Sequence, residues 1–102
     1  MTKGYWIARL QVKDEAAYDE YRKRNLPAFS KYGAKFAVRG GPFERVMGEV
    51  RQHNVVIEFP SHEAALACYH SPEYQYALPC LKMGCEGDFI IIAGYEGPQP
   101  SQ

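Results

Sequence analysis

Hydrophobic periodicity changes along this chain in an order that leaves few folds open to it. Seven segments have a regular pattern, and they are residues 4–12 (strand), 14–32 (helix), 34–39, 43–50 and 54–59 (strands), 61–85 (helix) and 88–95 (strand). In 102 residues with hardly a spare loop, this order predicts a βαββαβ plan. The predicted fold is therefore α+β and ferredoxin-like, with an antiparallel sheet. We expect one domain over residues 1–102, with its core in residues 3–95 and a flexible tail over residues 96–102.

Charge and hydropathy argue against several classes of partner. Twelve lysines and arginines balance twelve aspartates and glutamates, so the chain lacks the basic surface that nucleic acids and anionic membranes attract. Residues 1–12 lack the apolar core of a signal peptide because Arg9 and Gln11 interrupt them, and no segment approaches the roughly 18 apolar residues of a membrane span. We expect no nucleic-acid partner and no membrane association.

The cysteines and histidines indicate neither disulfides nor a metal centre. The three cysteines are odd in number and lie in apolar or helical surroundings, which is typical of buried residues in a reducing compartment, so a cytoplasmic location is predicted. Cys80 and Cys85 lack the usual two-residue spacing of zinc ligands, and the three histidines lack a paired helical spacing. No metal site and no cofactor are predicted.

Two strands carry apolar side chains on both faces, which predicts a homodimer that forms sheet against sheet. The first strand places Trp6 and Leu10 on one face but Tyr5 and Ile7 on the other. Residues 89–93 (FIIIA) are apolar throughout, as in a strand that is buried on two sides. The alternative is a monomer with a few scattered exposed apolar residues.

The helical segments carry their own start and stop signals. Asp14 is a candidate N-cap, Pro27 is expected to bend or interrupt the first helix, and Gly33 is placed to end it in a left-handed conformation. Ser61 is a candidate cap for the second helical region, and Ser71, followed by proline, marks a restart within it. Ser71 either caps the new helix or, with its free amide groups, holds an anionic or carbonyl oxygen.

Six short segments together resemble the domain-of-unknown-function 1330 family over residues 3 to about 95. The segments are residues 3–7 (KGYWI), 31–33 (KYG), 38–42 (VRGGP), 57–61 (IEFPS), 64–66 (AAL) and 69–74 (YHSPEY). The resemblance implies a small bacterial protein of the dimeric α/β-barrel superfamily, in which a ferredoxin-like protomer packs its sheet against that of a partner. It implies no single activity, since that superfamily includes cofactor-free monooxygenases, haem-degrading enzymes, lactone isomerases and ligand-sensing domains.

The segment around Arg39 is the least ordinary part of the chain. Paired glycines before a proline in an extended run indicate a bulge, a kink or a close backbone approach. Arg39 is a candidate ligand for an anion or carboxylate at the rim of a cleft. The alternative is a structural charge paired with an acid such as Glu58, within the chain or across the dimer interface.

Eight tyrosines give the chain an unusual supply of apolar rings with polar tips, and two functions fit them. The first is a small-molecule-binding protein or cofactor-free enzyme, with a pocket between helices and sheet for a small, largely apolar ligand. Its candidate ligand-binding residues are Tyr18, Arg39, Glu58, Tyr69, Ser71 and Tyr74. The second is a noncatalytic dimeric module whose tyrosines only fill the core and the interface.

Overall fold

The computed structural model describes residues 2–101, which form four strands and four helices. In chain order they are β1 (Gly4–Val12), α1 (Glu15–Arg24), α2 (Leu26–Tyr32), β2 (Lys35–Arg39), β3 (His53–Phe59), α3 (His62–His70), α4 (Pro72–Gly84) and β4 (Cys85–Ala93). The strands form one sheet in the order β2-β3-β1-β4, and every neighbouring pair is antiparallel. The helices cover one face of it. This confirms the predicted ferredoxin-like α+β fold.

The helix boundaries follow local side-chain chemistry, as the sequence predicts. Asp14 caps α1 by accepting a hydrogen bond from the Ala17 amide at 3.2 Å. The first helical region is interrupted at Asn25, so that Pro27 falls in the first turn of α2, where its missing amide hydrogen costs nothing. Gly33 ends α2 with a φ of 74°, in the left-handed region.

The prediction of a strand over residues 43–50 is wrong. Residues 40–52 form an irregular and largely exposed segment, here called the arm, in which Val46 and Met47 are each 86% exposed. The apolar side chains of this segment suggest a strand, but the segment pairs neither with β3, which lies between β1 and β2, nor with the outer edge of β2 in the described sheet. Gly40 and Gly48, with φ values of 66° and 69°, also turn the backbone out of the extended conformation.

The last strand is displaced relative to the prediction of residues 88–95. β4 begins at Cys85, which pairs with Val12, and ends at Ala93. The segment from Cys85 to Asp88 is polar and lacks a strand-like pattern, and pairing with β1 decides its conformation. No helix within residues 2–101 has the length and apolar character needed to cross a membrane.

Trp6 lies at the centre of the core, with an exposed fraction of 1%. Its ring centroid is 4.8 Å from that of Tyr74, 5.1 Å from that of Phe59 and 5.2 Å from that of Phe89. The indole nitrogen donates a hydrogen bond to the carbonyl oxygen of Ala65 at 2.9 Å. One side chain on the central β1 strand therefore contacts α3, α4, β3 and β4.

The side of the sheet away from the helices, here called the open face, carries a row of apolar side chains. Val38, Val56, Ile7 and Ile90 are register partners in turn across β2, β3, β1 and β4. Ile90 is 51% exposed and Val38 44%. The predicted apolar character of this second face is thus confirmed for the described chain.

We predict that Gly4→Ala destabilises the fold by about 1–3 kcal/mol, because a Cβ at this position overpacks the contact between β1 and α3. That atom would lie 2.7 Å from the Cα of His62 and 2.7 Å from the carbonyl oxygen of Ser61, both of which belong to the backbone. Urea denaturation measures the difference. Gly41→Ala is the matched control, because nothing lies within 4 Å of its added Cβ. Equal effects of the two substitutions would contradict the prediction.

Candidate ligand-binding site

A cavity of about 180 Å³ lies between the helices and the sheet, on the side of β2 and β3. Its floor is formed by the helix-facing side chains of β1 and β3, including Ala8 and Val55, and its walls include the rings of Trp6, Phe29 and Phe36. The polar side chains that line it are Tyr18, Tyr21, Arg22, Asn25, Arg39 and His53. The arrangement is an apolar interior with a small set of directing groups, which is typical of small-molecule sites.

Helix α1 and its C-cap residue supply four of these polar groups because helical spacing places them on one side. Tyr21 and Arg22 lie three and four residues after Tyr18, and Asn25, the C-cap, lies four and three residues after them. Asn25 is buried at the break between α1 and α2. The break thereby turns a buried polar side chain towards the cavity.

A β-bulge in β2 brings Arg39 to the cavity. Phe36 pairs with Ile57 and faces the helices, so strict alternation would place residue 39 on the open face. The register shifts between Phe36 and Val38, and Arg39 then pairs with Val55, whose side chain also faces the helices. The Arg39 guanidinium carbon lies 4.2 Å from the centroid of the Phe36 ring. The bulge lies at residue 37, just before the 38–42 motif for which the sequence predicts a bulge, a kink or a close backbone approach; within the motif, Gly40 leaves the extended conformation with a φ of 66°.

Arg39 is free of carboxylate partners: among residues 2–101, none of its nitrogens lies within 4.0 Å of an acidic oxygen. By contrast, Arg22 pairs with Asp19, one turn earlier on α1. The Arg22 guanidinium carbon lies 4.9 Å from the centroid of the Tyr18 ring. A guanidinium that rests on an aromatic ring with its planar donors uncommitted is suited to a carboxylate or phenolate oxygen.

Gly40, which has no side chain, leaves room for the His53 imidazole at the mouth of the cavity. Its amide donates to the carbonyl oxygen of Asn54 at 2.8 Å, and an added Cβ would lie only 2.5 Å from the His53 Cε1 atom. The His53 ring stands edge-on to the Tyr18 ring, with centroids 5.5 Å apart. Because Arg39 and His53 flank the arm, both ends of the arm contribute to the mouth.

The positive charges of Arg22 and Arg39 at the mouth of the cavity act to lower the pKa values of the titratable side chains beside them. Burial lowers the pKa of His53, and the charges of Arg22 and Arg39 lower it further. Burial raises the pKa of Tyr18, against the opposing effect of the same two guanidinium groups. An anion placed between these side chains would therefore be attracted by both arginines and would favour the protonated form of His53.

Only two of the six candidate residues from the sequence, Tyr18 and Arg39, line this cavity. Tyr74 lies behind it in the core, fully buried, with its Oη 2.8 Å from that of Tyr21. Ser71 caps α4: its Oγ accepts from the Tyr74 amide at 3.1 Å and donates to the Cys68 carbonyl oxygen at 2.7 Å. The hydrogen bonds of Ser71 thus match the capping interpretation.

The other two candidates lie elsewhere. Tyr69 lines a second cavity, beside β4. Glu58 lies on the open face, where it accepts a hydrogen bond from the Tyr5 hydroxyl at 3.2 Å and pairs with Lys3 at 3.4 Å. Arg39 and Glu58 do not form the predicted pair within the chain, because the bulge places Arg39 on the opposite side of the sheet.

Sequence reasoning missed Tyr21, Arg22, Asn25 and His53 as site residues. Arg22 belongs to a run of basic residues that has the pattern of a solvated helix face, and His53 is one of three histidines that lack metal-ligand spacing. The helical spacing of Arg22 and Asn25 from Tyr18 is the signal that could have found them. No comparable signal exists for His53, whose position depends on the pairing of β2 with β3.

The described chain has no group of side chains suited to bind a metal ion, and its fully buried cysteine is not a thiolate at neutral pH. Within the described chain no three histidine, cysteine, aspartate or glutamate side chains are grouped so that they could hold a metal ion. Cys68 is fully buried, and burial raises the pKa of its thiol to about 12. At neutral pH this cysteine is a protonated packing residue.

A family model for a domain of unknown function, DUF1330, matches residues 3–95. The chain belongs to the DUF1330 family. No curated protein sequence matches it. The family membership predicted from the six sequence segments is therefore confirmed, over the same part of the chain.

Several solved structures share the fold of this DUF1330 protein. RPA0582, a protein of unknown function from Rhodopseudomonas palustris, superposes with a TM-score of 0.77 at 17% identity, over 94% of this chain and 85% of that one. SnoaB, a cofactor-independent oxygenase from Streptomyces nogalater, superposes with a TM-score of 0.61 at 13% identity, over 95% and 97%. A dimeric ferredoxin-like protein of unknown function from Bacteroides fragilis gives 0.56 at 11% identity, over 90% and 95%. Identities this low show the common fold alone.

We predict that Tyr74→Phe lowers the free energy of unfolding by about 1 kcal/mol, because it removes the hydrogen bond between the buried Tyr74 and Tyr21 hydroxyls, while Asn25 remains a partner of Tyr21. Tyr21→Phe should cost a similar amount for the reciprocal reason. The double variant should cost less than the sum, since it removes both hydroxyl groups together. Denaturant unfolding of the four proteins gives the coupling. Tyr76→Phe, at an exposed tyrosine, is the control, and additive single effects would contradict the prediction.

Proposed function

We propose that this DUF1330 protein binds a small aromatic anion in the cavity between its helices and its sheet. The carboxylate or phenolate oxygen of the ligand would contact Arg39 at the mouth, and its ring would occupy the apolar interior. The observation that carries the proposal is the Arg39 guanidinium, which is stacked on Phe36 and has no ion-pair partner among residues 2–101.

The size of the cavity favours a ligand with one aromatic ring. An engineered apolar cavity of about 150 Å³ in another protein binds benzene, and the cavity here is about 180 Å³. Aromatic side chains at its walls, Trp6, Phe29 and Phe36 among them, offer the edge and face contacts that aromatic rings prefer. Burial of the ring would supply most of the binding free energy.

The charges at the mouth favour an anionic group over a neutral one. Arg39 offers a planar fork of donors, and Arg22 and the edge of the His53 ring lie beside it. Because one structural neighbour is a cofactor-independent oxygenase, we extend the proposal to a reaction that needs no cofactor. In such a reaction His53 is the mouth residue whose neutral imidazole could accept a proton from the ligand.

The test is a calorimetric titration with benzoate, and we expect Arg39→Met to weaken binding by about ten- to a hundredfold. The reason is the loss of charge-assisted hydrogen bonds worth about 1.5–3 kcal/mol, while the methionine side chain still covers Phe36. Benzamide, nearly the same shape without the charge, should bind the wild type more weakly than benzoate does. Ala8→Leu, which fills the floor of the cavity, should abolish binding of both compounds.

Two matched variants control this experiment. Arg45→Met makes the same change of charge on the exposed arm, outside the lining of the cavity, and should leave benzoate binding unchanged. Ala16→Leu adds the same bulk as Ala8→Leu on the exposed side of α1. Absence of benzoate binding by the wild type, or equal binding by Arg39→Met, would refute the proposed function.

We propose self-association through the open face as a second function of the fold. The row of Val38, Val56, Ile7 and Ile90 supports it, because a contiguous apolar surface of this kind is typical of an interface. Two of the structural neighbours, from Bacteroides fragilis and Thermobifida fusca, are described as dimeric. The ligand cavity lies on the other side of the sheet, so both functions can operate together.

We expect the wild type to sediment as a dimer, and Ile90→Glu to raise its dissociation constant by at least about a hundredfold. In a twofold interface the substitution buries two unpaired carboxylates, each of which costs several kcal/mol. Analytical ultracentrifugation over a range of concentrations measures the constant. Met83→Glu, at an exposed position on α4, is the control and should leave the dimer intact. A wild type that is monomeric at all concentrations would refute the interface.

A further inference from the structure

A second cavity shares part of its lining with the first. It has a volume of about 490 Å³, lies between α3–α4 and β4, and is more open to solvent than the first. Three residues, Leu10, Leu81 and Phe89, line both cavities and are here called the partition. Within the partition, Leu81 belongs to α4, Leu10 to β1 and Phe89 to β4.

We propose that Leu81 sets the maximum length of the ligand: the wild type accepts single-ring aromatic acids and excludes those with an apolar chain opposite the carboxylate. This inference rests on the proposed function, because it assigns the selectivity of the same site. The volume of the first cavity and the charge at its mouth do not by themselves determine whether an aromatic acid with an apolar chain is excluded.

The partition lies across the sheet from Arg39, beyond β3. Arg39 belongs to β2, whereas Leu10 and Phe89 belong to β1 and β4, on the far side of β3. Neighbouring strands are ~4.8 Å apart, so β1 is ~10 Å and β4 ~14 Å from β2 across the sheet. A ligand whose carboxylate contacts Arg39 therefore directs its opposite end at the partition.

Leu81 is the member of the partition that belongs to a helix, whereas the other two belong to the sheet. The Phe89 ring is part of the central aromatic cluster, with its centroid 5.2 Å from that of Trp6 and 6.0 Å from that of Tyr69. Leu10 belongs to the central strand and is 5% exposed. Leu81 enters the partition from α4 alone, and its truncation leaves both strand residues in place.

The second cavity offers an apolar surface to a chain that passes the partition. Tyr69, Leu78 and Ile91 line it on the side away from Arg39. Truncation of Leu81 would join the two cavities into one slot with a cationic mouth at one end and an apolar wall at the other. Such a slot fits an aromatic acid with an alkyl chain in the para position.

The experiment compares benzoate with 4-butylbenzoate by calorimetry in the wild type, Leu81→Ala and Leu78→Ala. We expect the wild type to bind benzoate at least about tenfold more tightly than 4-butylbenzoate. Leu81→Ala should shift this ratio by about tenfold or more in favour of the longer acid. Leu78→Ala is the matched control, since Leu78 lies on the same helix, is 9% exposed against 7% for Leu81, and lines only the second cavity.

A thermal melt of each variant checks that it is folded before titration. If Leu81→Ala does not fold, Leu81→Val, which removes less of the side chain, should shift the ratio in the same direction by a smaller factor. An unchanged ratio in the folded Leu81 variant, or the same shift in Leu78→Ala, would overturn the inference and leave the proposed function standing. A wild type that binds neither acid would overturn the proposed function, and the inference with it.

Discussion

The burial of Trp6 is the constraint on which the rest of the structure depends. Its indole nitrogen would be an unsatisfied donor in the core if α3 did not present the Ala65 carbonyl oxygen, and such a donor costs about 1–3 kcal/mol. That hydrogen bond fixes α3 over β1, where Gly4 allows the two backbones to approach closely. The same ring is a wall of the ligand cavity, so the element that organises the core also shapes the site.

The sequence predicts the fold wherever the signal is local. Asp14, Gly33 and Ser71 set helix boundaries through their own backbone and side-chain chemistry, and each acts in the structure as its residue type predicts. The strand predicted over residues 43–50 is absent because Gly40 and Gly48 turn the backbone and the segment pairs neither with β3 nor with the outer edge of β2. Whether an apolar segment becomes a strand is decided by pairing that its own residues do not encode.

The candidate site residues likewise divide into those that a local sequence signal predicts and those whose role depends on packing. Tyr18 could be predicted because helical spacing places it on the buried face of α1, and Arg39 because glycines and proline mark an irregular strand. Tyr74 has the same residue type as Tyr18 and similar burial, yet its hydroxyl is used by Tyr21. What separates this core tyrosine from the site tyrosine is whether the side chain lines the cavity, and only the packed structure contains that information.

The bulge in β2 has a consequence for how this chain can tolerate change in length. Alternation along a strand has a period of two, so loss of the single extra residue between Phe36 and Val38 would restore a regular ladder. In that ladder Val38 still pairs with Val56 and Arg39 with Val55, so Arg39 keeps its place at the mouth of the cavity. Loss of one residue at the bulge would thus leave both faces of the sheet intact, whereas straightening the strand at full length would pair residue 37 with Val56 and turn Arg39 towards the apolar open face.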